Sequence, residues 1–296
     1  MEIQLDCVIC VLRQALRASR KVTDDIEIQE KVLRCAMEEL LEMNWKTTPF
    51  YMSYRIHKIV SELTGVDDPY REVKRRSNDQ VLKLYPKFKE LVEISRDPLK
   101  TAVKLAIAGN IIDFAAVEKP EVEETVETVL KKKFAINDYP YLKNKVLTAR
   151  QLLFFADNAG EIVFDKLLLE TMIKIREKPF EKITFVVKRE PIINDATVED
   201  ATYVKITSLP NVDIKTISYK GRNLEADNPN LKKWFLAHDL ILLKGQSNYE
   251  NFDKYDNVFF MLIVKCPVVA RDLKVNIGDI VLKYNRPKSP FTRFIR

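Results

Sequence analysis

Apolar residues recur every three or four positions through the first half of the chain, from about residue 7 to residue 145. That spacing is typical of α-helices that bury one face. It is visible at Leu12, Leu16, Val32, Leu33, Ala36, Leu40, Ile56, Ile59, Val60 and Leu63. Breaks interrupt the pattern, and several place a proline near the first turn of the following helix, where its missing N–H costs nothing. The pattern predicts at least five helices before residue 140.

After residue 140 the chain changes to short apolar runs of strand length that alternate with helical segments. The predicted strands are residues 152–156, 183–188, 212–218, 240–244 and 258–264. Such alternation predicts an α/β fold in which helices cover a mostly parallel sheet. We expect a mainly helical domain over residues 1–145 and an α/β domain over residues 146–296. No Gly/Ser-rich linker separates them, so they are expected to pack closely.

Composition and charge exclude several classes of protein. The 296 residues are 46% hydrophobic, which is enough to bury a large core. No apolar run reaches the roughly 18 residues of a membrane helix, and the acidic amino terminus does not resemble a signal peptide. The 49 basic and 43 acidic residues are interspersed except in the tail, whereas a nucleic-acid-binding surface would be denser. We expect a cytoplasmic protein with no membrane or nucleic-acid partner, and the sequence does not indicate its oligomeric state.

Four cysteines are too few for a disulfide scaffold in a chain of this size, but Cys7 and Cys10 form a Cys-x-x-Cys pair. A closed zinc site needs about four ligands, and Cys35 and Cys266 stand alone in the sequence. A thioredoxin-type pair would follow a strand, and none is predicted before Cys7. Two interpretations stay open: a functional pair, or two buried thiols that act as small hydrophobic residues.

Oxygen-bearing side chains directly follow the first predicted strand, residues 152–156. They are Asp157, Asn158 and, after Gly160, Glu161. In an open parallel sheet, ligands bind outside the carboxyl ends of the strands. Carboxylate and amide oxygens are the donors that hard divalent cations prefer. Asp157 and Asn158 are therefore candidate metal ligands.

A second acidic loop follows the next predicted strand and contains Asp195. If the two strands are neighbours, Asp195 comes close to Asp157 and Asn158, which gives two carboxylates and one amide oxygen. That donor set suits Mg²⁺, Mn²⁺ or a related divalent cation with positions open for water and substrate. The alternative is that Asp195 caps a helix beginning near Ala196, because aspartate is a common N-cap residue.

Two further segments carry polar residues in unusual places. Lys244 and Gly245 end the fourth predicted strand, where a lysine can neutralise a phosphate oxygen and a glycine lets the backbone approach an anion. The alternative, which we weigh equally, is that these residues form an ordinary turn after the strand.

Asn110 and Asp113 interrupt an apolar helix on one face, since they stand three residues apart. They either hydrogen-bond within the core or project into a site between the two halves.

Five motifs in this order resemble the metal-dependent damage-control phosphatases, a family also known as domain of unknown function eighty-nine. The motifs are Asp6-Cys7-Val8-Ile9-Cys10, Gly109-Asn110-Ile111-Ile112-Asp113, Asp157-Asn158-Ala159-Gly160-Glu161, Asn194-Asp195-Ala196-Thr197 and Lys244-Gly245-Gln246-Ser247-Asn248-Tyr249-Glu250. Together they span nearly the whole chain, and the cysteine pair resembles the subgroup found in archaea and some bacteria. One departure is Ser247, where the family pattern leads us to expect glycine.

The resemblance implies a three-layer α/β/α sandwich with a helical amino-terminal domain. It implies hydrolysis of phosphomonoesters of small metabolites, such as sugar phosphates or damaged nucleotides, in the service of metabolite damage control. The α/β domain would hold a divalent metal ion, Mn²⁺, Ni²⁺, Co²⁺ or Mg²⁺, on Asp157, Asn158 and Asp195. The expected partner is thus a small phosphorylated metabolite.

The resemblance also implies roles close to the phosphate. Asp113, Glu161 and Lys244 are the expected catalytic residues, and Asn110 and Gly245 join Lys244 in binding substrate. Either Asp113 or Glu161 could orient or deprotonate the attacking water, and the sequence does not distinguish them. Lys244 is expected to add positive charge beside the phosphate dianion.

Two other functions fit parts of the sequence. A non-catalytic module could hold a nucleotide or metal at the sheet edge, with the cysteine pair as a sensor. A protein carboxyl methyltransferase has been proposed within the broad family, but it would need a glycine-rich loop after the first strand. The loop after residue 156 offers one glycine, Gly160, so hydrolysis is the favoured prediction.

Overall fold

Within the described residues, short runs rich in β-branched and aromatic residues form seven strands of a single mixed sheet. The computed structural model describes residues 1–109, 122–221 and 223–287. The strands are β1 Phe134–Asn137, β2 Gln151–Phe155, β3 Lys182–Lys188, β4 Val212–Ile217, β5 Leu240–Lys244, β6 Val258–Ile263 and β7 Ile280–Asn285. Their order across the sheet is β1-β7-β6-β5-β2-β3-β4. The β6–β7 pair is antiparallel and every other neighbouring pair is parallel.

The helices begin and end at the signals expected from the sequence. Pro49 lies in the first turn of its helix, Thr48 caps that helix by accepting a hydrogen bond from Tyr51 N at 3.2 Å, and Gly65 ends it in the left-handed conformation. The helices are α1 Leu5–Val22, α2 Ile26–Leu41, α3 Pro49–Thr64, α4 Arg71–Ile94, α5 Pro98–Ala108, α6 Val122–Lys131, α7 Tyr139–Thr148, α8 Glu161–Lys174, α9 Val198–Tyr203, α10 Leu224–Asp227, α11 Leu231–Ala237, α12 Gly245–Phe252 and α13 Pro267–Leu273. No helix in the described ranges is long and apolar enough to cross a membrane.

Both faces of the sheet are buried under helices. One face, with Phe154 and Phe185, packs against α4, α5 and α8. The other face, with Phe155 and Phe260, packs against residues of α3, α12 and α13. Because side chains alternate along a strand, this two-sided burial explains why the central strands β2, β3, β5 and β6 are largely continuous apolar runs. The α/β fold with a mostly parallel sheet and a three-layer arrangement is confirmed.

The first three helices form a smaller hydrophobic cluster of their own, built on residues such as Val11, Val32 and Ile56. It meets the sheet layers through α13, whose Val268 belongs to the same cluster. The predicted division near residue 145 stays a prediction. The sheet nevertheless takes β1 from before that position, where it pairs with β7.

The order of the strands places β2 between β3 and β5. From β2 the chain proceeds to β3 and β4 on one side, and then returns to β5 on the other side. Such a reversal leaves a crevice at the carboxyl ends of the central strands, where ligands of α/β proteins bind. The loops that follow β2, β3 and β5 all reach this crevice.

Candidate active site

The loop after β3 folds back onto the loop after β2. Asn158 and Asp195 form an isolated antiparallel bridge, and Ala196 N donates to the Asp157 carbonyl oxygen at 2.8 Å. The backbone therefore brings Asp157, Asn158 and Asp195 to one place, as expected if the first two predicted strands are neighbours. Register supports this, because Phe155 pairs with Val186 across β2 and β3.

The alternative role of Asp195 as a helix cap does not hold. Thr197 is the N-cap of α9, and its backbone N–H donates to Asp200 Oδ2 at 2.9 Å in a capping box. Asp195 Oδ2 is buried and has no hydrogen-bond partner among the described residues. Burial raises the pKa of Asp195 to about 8, with Lys188 opposing the shift and the Asp157 charge adding to it. A buried carboxylate oxygen in this state requires a proton or a cation.

Asp157 and Asn158 are fixed by hydrogen bonds that orient their oxygens. Ser247 Oγ donates to Asp157 Oδ1 at 2.9 Å. Asn158 Nδ2 donates to Asp157 Oδ2 at 2.8 Å and to Glu161 Oε2 at 3.3 Å. Because the amide nitrogen faces carboxylates, the amide oxygen is the atom of Asn158 that can bind a metal. Ser247, the departure from the expected glycine, is thus a contact of Asp157.

Gly245 lies against the same carboxylate. Its φ is +79°, and a Cβ added there would stand 1.9 Å from Asp157 Oδ2 and 2.1 Å from Asp157 Cγ. Only glycine fits this close approach in this conformation. The anion that the Gly245 backbone approaches is therefore the Asp157 side chain, and the predicted contact with substrate stays a prediction.

Lys244 is fully buried behind the site. Its ammonium group donates to Glu161 Oε1 and to the Ala106 carbonyl oxygen at 2.8 Å, and it lies 2.9 Å from Asp165 Oδ1. Burial alone would lower the pKa of Lys244, but the charges of Asp165 and Glu161 outweigh it and raise the pKa. Burial also raises the pKa of Asp165 to about 7 against the opposing charge of Lys244. The expected contact of Lys244 with phosphate is not supported, because its donors are already occupied inside the core.

Glu161 is also fully buried, and it holds Lys244 with one carboxylate oxygen and Asn158 with the other. This geometry favours a positioning role for Glu161 over the expected role as catalytic base. Asn110 and Asp113, which the sequence also predicts as site residues, lie outside the described residues.

Lys188 is a site residue that sequence reasoning missed. It ends β3, is 2% exposed, and its Nζ lies 4.6 Å from the ring centroids of both Phe50 and Tyr219. Burial works against its charge, but Tyr219, Asp195 and Asp157 together raise its pKa. A lysine at the end of a buried strand is the sequence signal that could have identified it. Lys188 and Lys244 are thus the last residues of the two strands that flank β2, and both are buried.

Asn78 of α4 is a second residue that the sequence did not reveal. It is 1% exposed, its Oδ1 accepts from Gly160 N at 2.7 Å, and its Nδ2 donates to Asp200 Oδ1 at 2.9 Å. It therefore links the turn after β2 to the capping box after β3. A lone asparagine in a polar helix sequence carries no signal of that role.

A cavity of about 940 Å³ opens above the three candidate ligands. Asp157, Asn158 and Asp195 line it, and so do Cys7 and Cys10 from α1. Cys266, at the start of α13, joins the cysteine pair in this lining, and its thiol accepts from Gln246 Nε2 at 3.2 Å. Burial raises the pKa of the Cys7 thiol. The cysteine pair thus lines the same cavity as the candidate metal ligands, whereas Cys35 is not part of that lining.

The donor set fits a hard divalent cation. In the part of the chain that the structure describes, no three His, Cys, Asp or Glu side chains converge in a metal-binding group. The candidate site instead combines two carboxylates with one amide, and the buried Asp195 Oδ2 has no other partner there. Oxygen-only donors of this number suit Mg²⁺ or Mn²⁺ with water or substrate completing the shell.

The acidic and amide side chains lie at the switch point of the sheet, beside an open cavity, which is where α/β proteins bind small ligands. The comparison of the sequence with known families identifies the protein further. The chain belongs to the damage-control phosphatase ARMT1-like domain family, which matches residues 3–281. The family resemblance inferred from the five motifs is confirmed, and the cysteine subgroup stays a prediction.

Relatives match along nearly the entire chain. A damage-control phosphatase of Archaeoglobus fulgidus is 36% identical over 295 residues, covering 96% of this chain and 99% of its own. Damage-control phosphatase PH1575 of Pyrococcus horikoshii is 35% identical over 292 residues, covering 97% and 100%. The crystal structure of this Pyrococcus protein, described as a DUF89 family protein, matches with a TM-score of 0.87 at 32% identity over 97% of this chain and all of that one.

Proposed function

We propose that this protein is a divalent-metal-dependent phosphatase that hydrolyses phosphomonoesters of small metabolites in the cytoplasm, as part of metabolite damage control. The observation that carries the proposal is the meeting of Asp157, Asn158 and Asp195 on the floor of one cavity. The names of the full-length relatives support phosphate esters as the substrates. The cavity volume of about 940 Å³ suits a small metabolite.

The three oxygen-donor residues would hold the cation. When bound, a divalent cation polarises a phosphoryl oxygen and lowers the pKa of a coordinated water. Asp157 and Asp195 together carry two negative charges when ionised, so a loaded site is close to neutral. Such a site accepts a phosphate dianion without strong repulsion.

Other residues of the chain keep these donors in place. Ser247 and the Gly245 turn fix the Asp157 carboxylate, and Glu161 fixes the amide of Asn158. Lys244 in turn holds Glu161, so it acts through two other residues and not on the phosphate. Asp113 stays a predicted base for the attacking water.

A phosphate-release screen tests the proposal. Sugar phosphates and nucleotides are offered with Mg²⁺, Mn²⁺, Co²⁺ and Ni²⁺ in turn, and each active combination is repeated with excess chelator. We expect release from at least one ester, its loss with chelator, and its loss in Asp157→Ala and Asp195→Ala. The matched control is Asp213→Ala, because Asp213 is a partly exposed carboxylate on β4 that pairs with Lys215 at 3.0 Å.

Binding of phosphate esters without release under every metal would favour the non-catalytic module. Release that persists in Asp195→Ala with chelator present would contradict the metal assignment. Circular dichroism of each variant shows whether it is folded, which separates lost ligands from lost structure.

A further inference from the structure

One face of α1 carries three arginines that line the cavity. Arg13, Arg17 and Arg20 are spaced by four and three residues, so they lie on the same side of the helix. All three are exposed, and within the described residues none of them makes a hydrogen bond or an ion pair. We call them the α1 arginine row.

Most arginines elsewhere in the described structure have an anionic or carbonyl partner. Arg34 pairs with Glu30 at 2.6 Å, and Arg55 pairs with Glu39 at 2.7 Å. The acidic residue of α1 itself does not neutralise the row, because Asp6 pairs with Arg271 at 2.7 Å. On the α1 side of the cavity, the row therefore carries positive charge that no described carboxylate pairs with. Guanidinium groups suit phosphate or carboxylate oxygens.

One buried polar atom beside the row lacks a partner as well. Gln14, which follows Arg13 in the sequence, also lines the cavity, and its Oε1 is buried with no hydrogen-bond partner among the described residues. A buried acceptor without a donor is costly, and a ligand hydroxyl would satisfy it. Lys21 adds charge at the far end, where its Nζ lies 5.2 Å from the centroid of the Tyr70 ring.

The length of the row defines the stretch of α1 that a bound group can contact. Seven residues separate Arg13 from Arg20, which corresponds to roughly 10 Å along an α-helix. The candidate metal ligands and the row line one continuous cavity. A ligand whose ester phosphate lies at Asp157 and Asp195 can therefore place a second group against α1.

We infer that the α1 arginine row binds a second anionic group of the substrate. The substrate class is then a hydroxylated phosphomonoester that carries another phosphate or a carboxylate, of the size of a sugar bisphosphate. This inference rests on the proposed phosphatase function, and it adds α1 as the element that determines specificity.

The test compares two esters that differ in the second anion. Phosphate release from fructose 1,6-bisphosphate and from fructose 1-phosphate is measured with the wild type and with the triple variant Arg13→Gln, Arg17→Gln, Arg20→Gln. We expect the wild type to prefer the bisphosphate in kcat/KM. The preference should fall by about tenfold or more in the variant, as for lost hydrogen bonds to a charged group. The loss should appear mainly in KM.

Arg76→Gln is the matched control, because Arg76 is an exposed helical arginine that does not line the cavity. It should keep the wild-type preference. A second arm titrates the same two sugars calorimetrically into each protein with no metal added, so that selectivity is measured without turnover. The inference is overturned if the triple variant retains the wild-type selectivity in both arms, or if the wild type shows no preference in either. Absence of phosphate release from every ester, with selective binding intact, would instead remove the proposed function.

Discussion

Replacing Gly245 with alanine tests the close approach of the β5–α12 turn to Asp157. The new Cβ would stand 1.9 Å from Asp157 Oδ2, far inside the roughly 3.5 Å of a favourable contact. Asp157 cannot withdraw without breaking its hydrogen bonds to Ser247 and Asn158. We therefore expect both a loss of stability and a displaced metal ligand.

The magnitude follows from two contributions. Holding an alanine at a positive φ lowers the free energy of unfolding by about 1–2 kcal/mol. Overpacking a tight site adds about 1–3 kcal/mol. Gly65 allows the two contributions to be measured separately, because it has a similar φ of +72° but nothing lies within 4 Å of a Cβ added there. Gly65→Ala should therefore be destabilised only by the positive φ, whereas Gly245→Ala should be destabilised by both the positive φ and the overpacking.

Thermal unfolding and phosphate release are measured on both variants. At roughly 2–4 °C per kcal/mol for a chain of this size or slightly smaller, the melting temperature of Gly245→Ala should fall several degrees below that of Gly65→Ala. Metal-dependent phosphate release should be lost in Gly245→Ala and kept in Gly65→Ala. Equal melting temperatures with full activity in both would refute the packing of Gly245 on Asp157.

Three further predictions concern the surroundings of the site. Asn78→Ala should lower the free energy of unfolding by about 1–3 kcal/mol, because it leaves Gly160 N–H buried without its acceptor; a change within error in denaturant titration would count against this link. Burial raises the pKa of Glu250 from 4.5 to about 7, so the folded protein keeps a proton that the unfolded chain releases, and stability should fall as pH rises between these values. Glu250→Gln should make the melting temperature depend less on pH over that range. A pH profile identical to that of the wild type would exclude Glu250 as the group responsible. The double variant Cys7→Ser, Cys10→Ser should lose more turnover than stability, since both thiols line the cavity; unchanged turnover per folded molecule would identify them as packing residues.

Much of the sheet could be predicted because its central strands are buried on both faces. Of the seven strands in the described residues, β2, β3, β5 and β6 are largely continuous apolar runs. β4 alternates apolar and polar residues at the edge of the sheet. All five of these strands begin and end close to their predicted bounds. The two that were missed, β1 and β7, lie together at one end of the sheet. β1 has only four residues and alternates between half-buried and exposed positions, so no apolar run marks it.

The candidate ligands could be grouped from the sequence because strand ends of a parallel sheet meet at one edge. The buried side chains that pack behind that edge could not be predicted in the same way. Lys244 looked like a phosphate contact, but Glu161 and Asp165 of α8 enclose it. Partners that stand about 80 residues apart are brought together by packing, and no local pattern records them. The same applies to Cys266, which joins Cys7 from the opposite end of the chain.

Direct titration of Mn²⁺ into the purified protein tests the central claim without relying on activity. Calorimetry on the metal-free wild type should show one site per chain. Asp195→Asn should abolish or greatly weaken that binding, because it removes the charge of the carboxylate whose Oδ2 has no other partner in the described structure. Asp213→Asn, at the far edge of the sheet, should bind as the wild type does. Equal Mn²⁺ affinity in the wild type and in Asp195→Asn would contradict the metal site proposed at the ends of β2 and β3.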